Sequence, residues 1–178
     1  LWNKLGIDPR GVDREIVECL HRTNIGVDND YVNLILHGLR TSIADGWGGS
    51  MIATELQDVI FGTPKPIFSE ANMGVLDPEK VNIIIHGHEP LLSEMIVAAA
   101  TDPEMIALAQ NEGAKGINLA GICCTANELL MRQGVPIASN FLGQELAVAT
   151  GAVEAMVVDV QCVMPALGPL ASCFHTKF

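Results

Sequence analysis

One stretch, Ile83-Ile84-Ile85-His86-Gly87-His88-Glu89-Pro90, constrains this chain more than any other. A continuous β-branched run is the pattern of a strand covered on both faces, as in a parallel sheet packed between helices. Here the run breaks at a glycine, leaves two imidazoles at its carboxyl end, and meets a proline that can open a helix. Two later apolar stretches end in the same way, residues 117–122 at Cys123-Cys124 and residues 156–160 at Cys162. If these strands are near neighbours, at the ~4.8 Å spacing of paired strands, the three endpoints share the sheet edge at which open parallel sheets bind ligands.

Ahead of this region the periodicity is helical. Ile16, Val17 and Leu20 form a short stripe that Asn24 and Gly26 end. Asp28 or Asn29 is placed to cap a second helix, with Val32, Ile35, Leu36, Leu39 and Ile43 at three- and four-residue steps. Gly46-Trp47-Gly48-Gly49 is expected to break that helix, and Ser50 to cap a third. Thr63-Pro64-Lys65-Pro66 cannot continue a helix. The expected boundary follows: residues 1–64 as the C-terminal part of a helical domain, and 65–178 as a Rossmann-like α/β domain, incomplete at its C-terminus.

In the second part, residues 90–100 read as a helix, and Thr101-Asp102-Pro103-Glu104 restarts it with a capping box. Thr125-x-x-Glu128 opens a helix ending at Gly134; residues 136–139 are a short strand, 143–149 a helix, and 172–178 the start of one more strand. Strands alternating with helices imply an α/β fold with a parallel sheet and right-handed crossovers.

The spacings from His88 to Cys124 to Cys162 are those of whole βα units, so they bring residues together in space and not along the chain, unlike zinc-finger spacing. The start of a helix at Cys124 favours a thiolate, the form that binds metal. Thiolates select zinc, copper(I) or iron–sulfur species, and imidazole suits zinc, iron and nickel. One imidazole and two thiolates are too few for a closed tetrahedral site, so either a position is open or further ligands come from elsewhere.

Plainer readings stand beside these. Buried cysteines are commonly small core hydrophobes, which is the expectation for Cys19 and Cys173. His21, on the polar side of its helix, and His37, within the second helix, both read as ordinary surface or satisfied interior histidines. His86 and His88 point to opposite sides of an extended strand, so one of them at most ligates from this side. Asp45 is a candidate partner for a histidine; Glu89 and Glu128 read as helix N-terminal charges. Gly46-Trp47-Gly48-Gly49 lacks the lysine of a phosphate loop, and no strand carries G-x-G-x-x-G, so nothing points to NAD.

The formal charge of −11 excludes the basic footprint that nucleic acid or an anionic membrane requires. There is no apolar run of the roughly 18 residues that span a bilayer, and five cysteines without a paired framework fit a reducing compartment. A cytoplasmic location is expected. The chain starts at Leu1 and stops at Phe178 inside a strand-like segment, and is expected to be an internal piece of a longer protein.

Asp45-Gly-Trp-Gly-Gly, Phe61-Gly-Thr-Pro-Lys-Pro66, Glu70-Ala-Asn-Met-Gly-Val75, Ile85-His-Gly-His-Glu-Pro90, Gly121-Ile-Cys-Cys-Thr-Ala-Asn-Glu128 and Asp159-Val-Gln-Cys162 together resemble the catalytic subunit of the anaerobic nickel–iron carbon monoxide dehydrogenases. Ala171-Ser-Cys-Phe-His-Thr-Lys177 is most similar to the form that works with acetyl-CoA synthase. The resemblance runs along essentially the whole chain. It implies an oxidoreductase that reversibly oxidises carbon monoxide with water to carbon dioxide, two protons and two electrons at a nickel–iron–sulfur cluster, cluster C, with further 4Fe–4S clusters in the full-length protein.

By position, His88 and Cys124 resemble the pair that holds the iron outside the cubane, Cys162 a cysteine on a cubane iron, and Asp45 a carboxylate near that histidine. The resemblance places the acid–base histidine and the relay-cluster cysteines before Leu1, and the catalytic lysine, the nickel ligand and further cluster cysteines after Phe178. No catalytic acid–base residue is therefore expected within the chain, and the chain alone is expected to be inactive. The implied partners are the rest of the parent subunit, a second copy in a homodimer, the acetyl-CoA synthase subunit and ferredoxin. Two other readings are a metal-free structural or interaction fragment with core cysteines, and a zinc hydrolase-like site built from His88, Cys124 and Cys162 with one open position.

Overall fold

The isoleucine run forms the inner strand β1, Val81–His86, of a parallel sheet completed by β2 (Ile117–Ile122), β3 (Ile137–Ser139) and β4 (Ala155–Val158) in the order β3-β2-β1-β4. This computed structural model describes residues 1–88 and 90–178, so the expectation for Glu89 lies outside the described residues. The class is α/β, as the alternation of elements requires.

β1 pairs in parallel with β2 on one side, His86 opposite Ile122, and with β4 on the other, His86 opposite Val158. Beyond β3 the chain passes back to the far side of β1, which makes the gap between β1 and β4 the point where the winding reverses. Such a reversal point, at the carboxyl ends of the strands, is where open parallel sheets bind ligands.

Alternation along β1 explains why the sheet is covered twice. Ile84 packs on one face with Val148, Val153, Met156 and Leu167, using α8 (Gln144–Ala149) and α9 (Leu167–Ala171). Ile85 packs on the other with Leu129, Ile96 and Val97, from α7 (Cys123–Gln133) and α5 (Pro90–Ala100). Each fully buried side chain of this size contributes about 1.5–3 kcal/mol. Buried Asn82 is fully paired: its amide donates to the carbonyls of Asp77, Lys80 and Ala152, and its oxygen accepts from the Asp77 amide and from Asn118.

Several boundaries differ from expectation. Thr125 caps nothing: α7 starts two residues earlier, its N-cap Ile122 offers no side-chain bond, and the Thr125 hydroxyl is buried without a partner. The Thr125 amide instead donates to the Gly87 carbonyl at 2.9 Å, tying the helix start to the loop after β1. α6 (Pro103–Asn111) is capped by Asp102 and not by Thr101, with Pro103 in its first turn. Gly134 ends α7 as expected, and does so in the left-handed conformation at φ 73°. At residues 172–178 the extended segment is limited to one parallel bridge from Lys177 to Ala155 beside β4.

Gly121 has a close-packing role, because a Cβ there would lie 2.6 Å from the Cα of Ala126. The obstacle is helix backbone and cannot rotate away. Gly121→Ala is therefore expected to cost about 3 kcal/mol, the upper end of the ~1–3 kcal/mol usual for overpacking. A denaturant midpoint equal to that of the parent protein would refute it.

Residues 1–60 form a separate helical unit containing α1 (Trp2–Leu5), α2 (Val12–Arg22), α3 (Tyr31–Asp45) and most of α4 (Ala53–Phe61). α3 is capped by Asp30, later than expected, whose carboxylate accepts from the Val32 and Asn33 amides. The glycine run does not break the helix. Residues Gly46–Ile52 wind on as a π-helix that joins α3 to α4, so Ser50 caps nothing. Small residues make this possible: a Cβ on Gly48 would sit 2.9 Å from the Val12 methyls.

The apolar stripes of α2 and α3 are also not the inner face, since Ile16, Val17, Leu20, Val32, Ile35 and Leu39 are exposed. The buried positions are Glu15, His37 and Ala44. The Glu15 carboxylate accepts from Arg10 (backbone N 3.0 Å, Nε 2.9 Å, Nη2 3.1 Å), from Arg40 Nε at 2.7 Å and from His37 Nε2 at 3.1 Å. A carboxylate with five donors is more stable inside than a lone leucine stripe would suggest, because every lone pair is matched.

Candidate metal centre

The loops leaving β1 and β4 meet at the reversal point, and His88 and Cys162 lie one on each. Cys162 Sγ is 3.9 Å from His88 Nε2. The imidazole is held from its other nitrogen, with His88 Nδ1 3.1 Å from the Val160 carbonyl oxygen. A carbonyl only accepts, so Nδ1 carries the proton and Nε2 keeps its lone pair on the Cys162 side. That is the arrangement by which proteins fix a ligating histidine in one tautomer.

The main chain at these thiols is unusual. Cys123, Gln161 and Cys162 have φ of 64°, 60° and 49°, and they are the non-glycine residues in the left-handed region among those described. Such conformations cost on the order of 1 kcal/mol or more and persist only when their surroundings hold them. At Cys162 the hold is visible: its carbonyl accepts from Gln144 Nε2 at 3.1 Å.

Gln144 is fully buried and completes four hydrogen bonds, donating also to the Phe141 carbonyl and accepting from the Met164 amide and from His86 Nε2 at 2.9 Å. His86 is thus an interior residue, bonded to the same Gln144 that holds the Cys162 carbonyl, with its Nδ1 unpartnered.

Cys124 is the second residue of α7 and is exposed, as is Cys162, whereas Cys123 is half-buried. The helix terminus was expected to favour a Cys124 thiolate. Partial desolvation by its neighbours raises its pKa instead, although the residue is exposed overall, with the negative charges of Cys162 and Glu128 adding to the effect. Burial, then Cys162 and Cys124, push the Cys123 thiol up to about 11. Thiols that oppose one another's ionisation gain most from a cation among them, since coordination removes the proton outright.

Among the described residues, the one group of three or more His, Cys, Asp or Glu donors lying within 4.8 Å of one another is Glu15, Glu18 and His37. That group is already filled by guanidinium groups: Arg10 and Arg40 bind both carboxylates, and Arg22 binds Glu18. It follows that His88, Cys124 and Cys162 share an edge without converging on a single point. A single tetrahedral zinc, with bonds of about 2.0–2.3 Å, would need tighter convergence; donors spread along one edge suit a cluster of several metals.

The remaining candidates are placed as follows. Asp45 ends α3 in the helical unit, with its carboxylate over Gly49, where a Cβ would be 2.3 Å from Oδ1. His37 is the satisfied interior histidine expected of it, and His21 is exposed. Cys19 is half-buried; Cys173 is exposed at the end of α9, with Sγ 3.6 Å from the Pro169 carbonyl, and so is not the core residue expected. Glu128 pairs with Arg132 one turn on. Sequence reasoning missed Asp159 and Gln144, since an aspartate after a strand and a glutamine opening a helix carry no pattern of their own; the signal was only their position beside Cys162 and Gly143.

Residues 1–178 match the Prismane/CO dehydrogenase family. The chain is 73% identical over 178 residues to "Carbon monoxide dehydrogenase 1" of Methanosarcina mazei, covering all of this chain and 28% of that protein. It is 54% identical over 169 residues to the "Carbon monoxide dehydrogenase/acetyl-CoA synthase subunit beta" of Moorella thermoacetica, covering 95% of this chain and 25% of that one. Among solved structures, the as-isolated Ni-free carbon monoxide dehydrogenase from Thermococcus sp. AM4 superposes with a TM-score of 0.90 at 60% identity, over 99% of this chain and 28% of that one. The chain thus spans under a third of the length of the curated relatives it matches, and within that span it belongs to the Prismane/CO dehydrogenase family.

Proposed function

We propose that this chain is the segment of a nickel-dependent carbon monoxide dehydrogenase subunit that supplies His88, Cys124 and Cys162 to a nickel–iron–sulfur cluster. The observation that carries the proposal is the pairing of His88 Nε2 with Cys162 Sγ at 3.9 Å across the reversal point, with the imidazole proton committed to Val160. One soft and one borderline donor presented together, with the Cys124 thiol on the same edge, fit iron and nickel.

When bound, such a cluster supplies the redox couple and Lewis acidity with which carbon monoxide and water become carbon dioxide, two protons and two electrons. This chain's residues contribute the rest: His88 offers a neutral nitrogen of fixed orientation, Cys124 and Cys162 offer negative charge once deprotonated, and β1 and β4 set the distance between the two loops. Asp45 enters the proposal, on the resemblance alone, as a carboxylate acting on the His88 side.

The same reading takes residues 1–64 as the C-terminal part of a helical domain and 65–178 as an incomplete Rossmann-like domain. It assigns the acid–base histidine and lysine, the other cluster ligands and further 4Fe–4S clusters to the rest of the parent subunit, so residues 1–178 alone are expected not to oxidise carbon monoxide. A homodimer, ferredoxin as electron partner and a cytoplasmic location belong to it as well. An acetyl-CoA synthase partner is supported by the name of the Moorella relative. No helix among the described residues is long and apolar enough to cross a membrane.

The full-length subunit, purified without oxygen, is expected to contain nickel, iron and sulfide and to reduce an electron-accepting dye with carbon monoxide. One zinc per chain and no such activity would favour the zinc hydrolase-like reading, and no metal at all the structural one; either result sinks the proposal.

A further inference from the structure

Asp159, the first residue after β4, does more than continue the chain. Its carboxylate accepts the His88 amide on both oxygens, at 2.9 and 3.0 Å, and Oδ1 also accepts the Val160 amide. The Asp159 amide in turn donates to the His86 carbonyl at 3.3 Å. Val160 is the residue whose carbonyl takes the His88 imidazole proton. The bonds therefore close a circuit from the His88 backbone to the carboxylate, to Val160, and back to the His88 ring.

Gly87 gives the carboxylate its space. It sits at φ 138°, and a Cβ there would be 1.6 Å from Asp159 Oδ1. The glycine between the two histidines is thus explained by Asp159 occupying the volume a side chain would need.

We propose that Asp159 is the positioning residue for His88: it fixes the two turns between which the imidazole is suspended, and so aims Nε2 toward the Cys162 side. This rests on the reading of His88 as a cluster ligand. The chemistry favours a carboxylate, since the His88 N–H is shared between both oxygens while Oδ1 also takes the Val160 N–H, and an amide would turn an N–H₂ toward the His88 N–H in place of Oδ2.

The test uses the full-length subunit loaded with metal. Asp159→Asn keeps shape and one accepting oxygen, and is expected to remain folded while shifting the electron paramagnetic resonance signature of the cluster. It should also lower metal retention under chelator challenge by about tenfold, within the ~10–100-fold typical of lost outer-shell partners. Asp159→Ala should go further in the same direction.

A folded Asp159→Asn protein with parental signature and retention overturns the inference. His88→Ala separates this from failure of the parent reading: if His88→Ala is also silent, His88 is no ligand and both fall. If His88→Ala loses metal and Asp159→Asn does not, only the positioning role falls.

Discussion

Replacing Cys162 with alanine in the full-length subunit is expected to lower carbon monoxide oxidation by more than about 100-fold, beyond the ~10–100-fold that loss of an outer-shell partner costs. Iron content should fall with it. The argument is geometric. Cys162 Sγ is the donor atom facing His88 Nε2 at 3.9 Å, and its left-handed backbone is held by Gln144, which accounts for the placement of this thiol.

Cys123→Ala is the control. Cys123 has the same element and the same left-handed backbone, but it is half-buried, packs against the core and has its thiol pushed up to about 11. Its loss should change the rate less than about threefold, a ΔΔG‡ well under 1 kcal/mol. Iron content and rate that survive Cys162→Ala and collapse in Cys123→Ala would assign the ligand to the wrong thiol.

The second large effect concerns stability and lies in the helical unit. Glu15→Ala is expected to destabilise it by about 3 kcal/mol, the low end of the ~3–5 kcal/mol for breaking a buried ion pair. The low end applies because Arg10 is a third exposed and keeps water on one side. The loss arises less from the missing attraction than from what remains: Arg10 and Arg40 left with the Glu18 carboxylate as their shared partner, and His37 without its acceptor.

A pH signature accompanies this. Arg10 above all, helped by Arg40, holds the Glu15 carboxyl well below the usual carboxylate range against the opposing effect of burial. A group whose folded pKa is depressed contributes stability above its unfolded pKa of about 4.3, and that contribution fades as pH falls toward the folded value. The parent protein should therefore lose stability steeply below about pH 5, and Glu15→Gln should be less stable at neutrality but flatter in acid. Parallel stability curves for the two, followed by circular dichroism against urea, would show that Glu15 is not the titrating group.

How much of this could be read in advance varies with the range of the interaction. The strands and most helices of the sheet unit were legible because periodicity and turn chemistry are local: the β-branched run at 81–85, Pro103, and Gly134 at a left-handed helix end each act within a few residues. The π-helix at Gly46–Ile52 was misread because glycines break helices only when nothing supports them, and Val12, distant in sequence, packs against Gly48. The polar contact between α2 and α3 was not legible either, because Glu15 is matched by His37 and Arg40, 22 and 25 residues away, and periodicity along one helix carries no sign of such partners.

By itself the sequence determined the α/β class, the strands that carry His88, Cys124 and Cys162, and the family resemblance, because each follows from residue types in a local order. Only the tertiary structure decided that β4 lies beside β1 while β2 flanks its other side, which brings Cys162 to His88 and leaves Cys124 across the strand. It also decided the tautomer of His88, the interior role of His86 and the reach of Asp159. Strand order and hydrogen-bond partners depend on which distant segments pair most favourably, and no single stretch of chain encodes that choice.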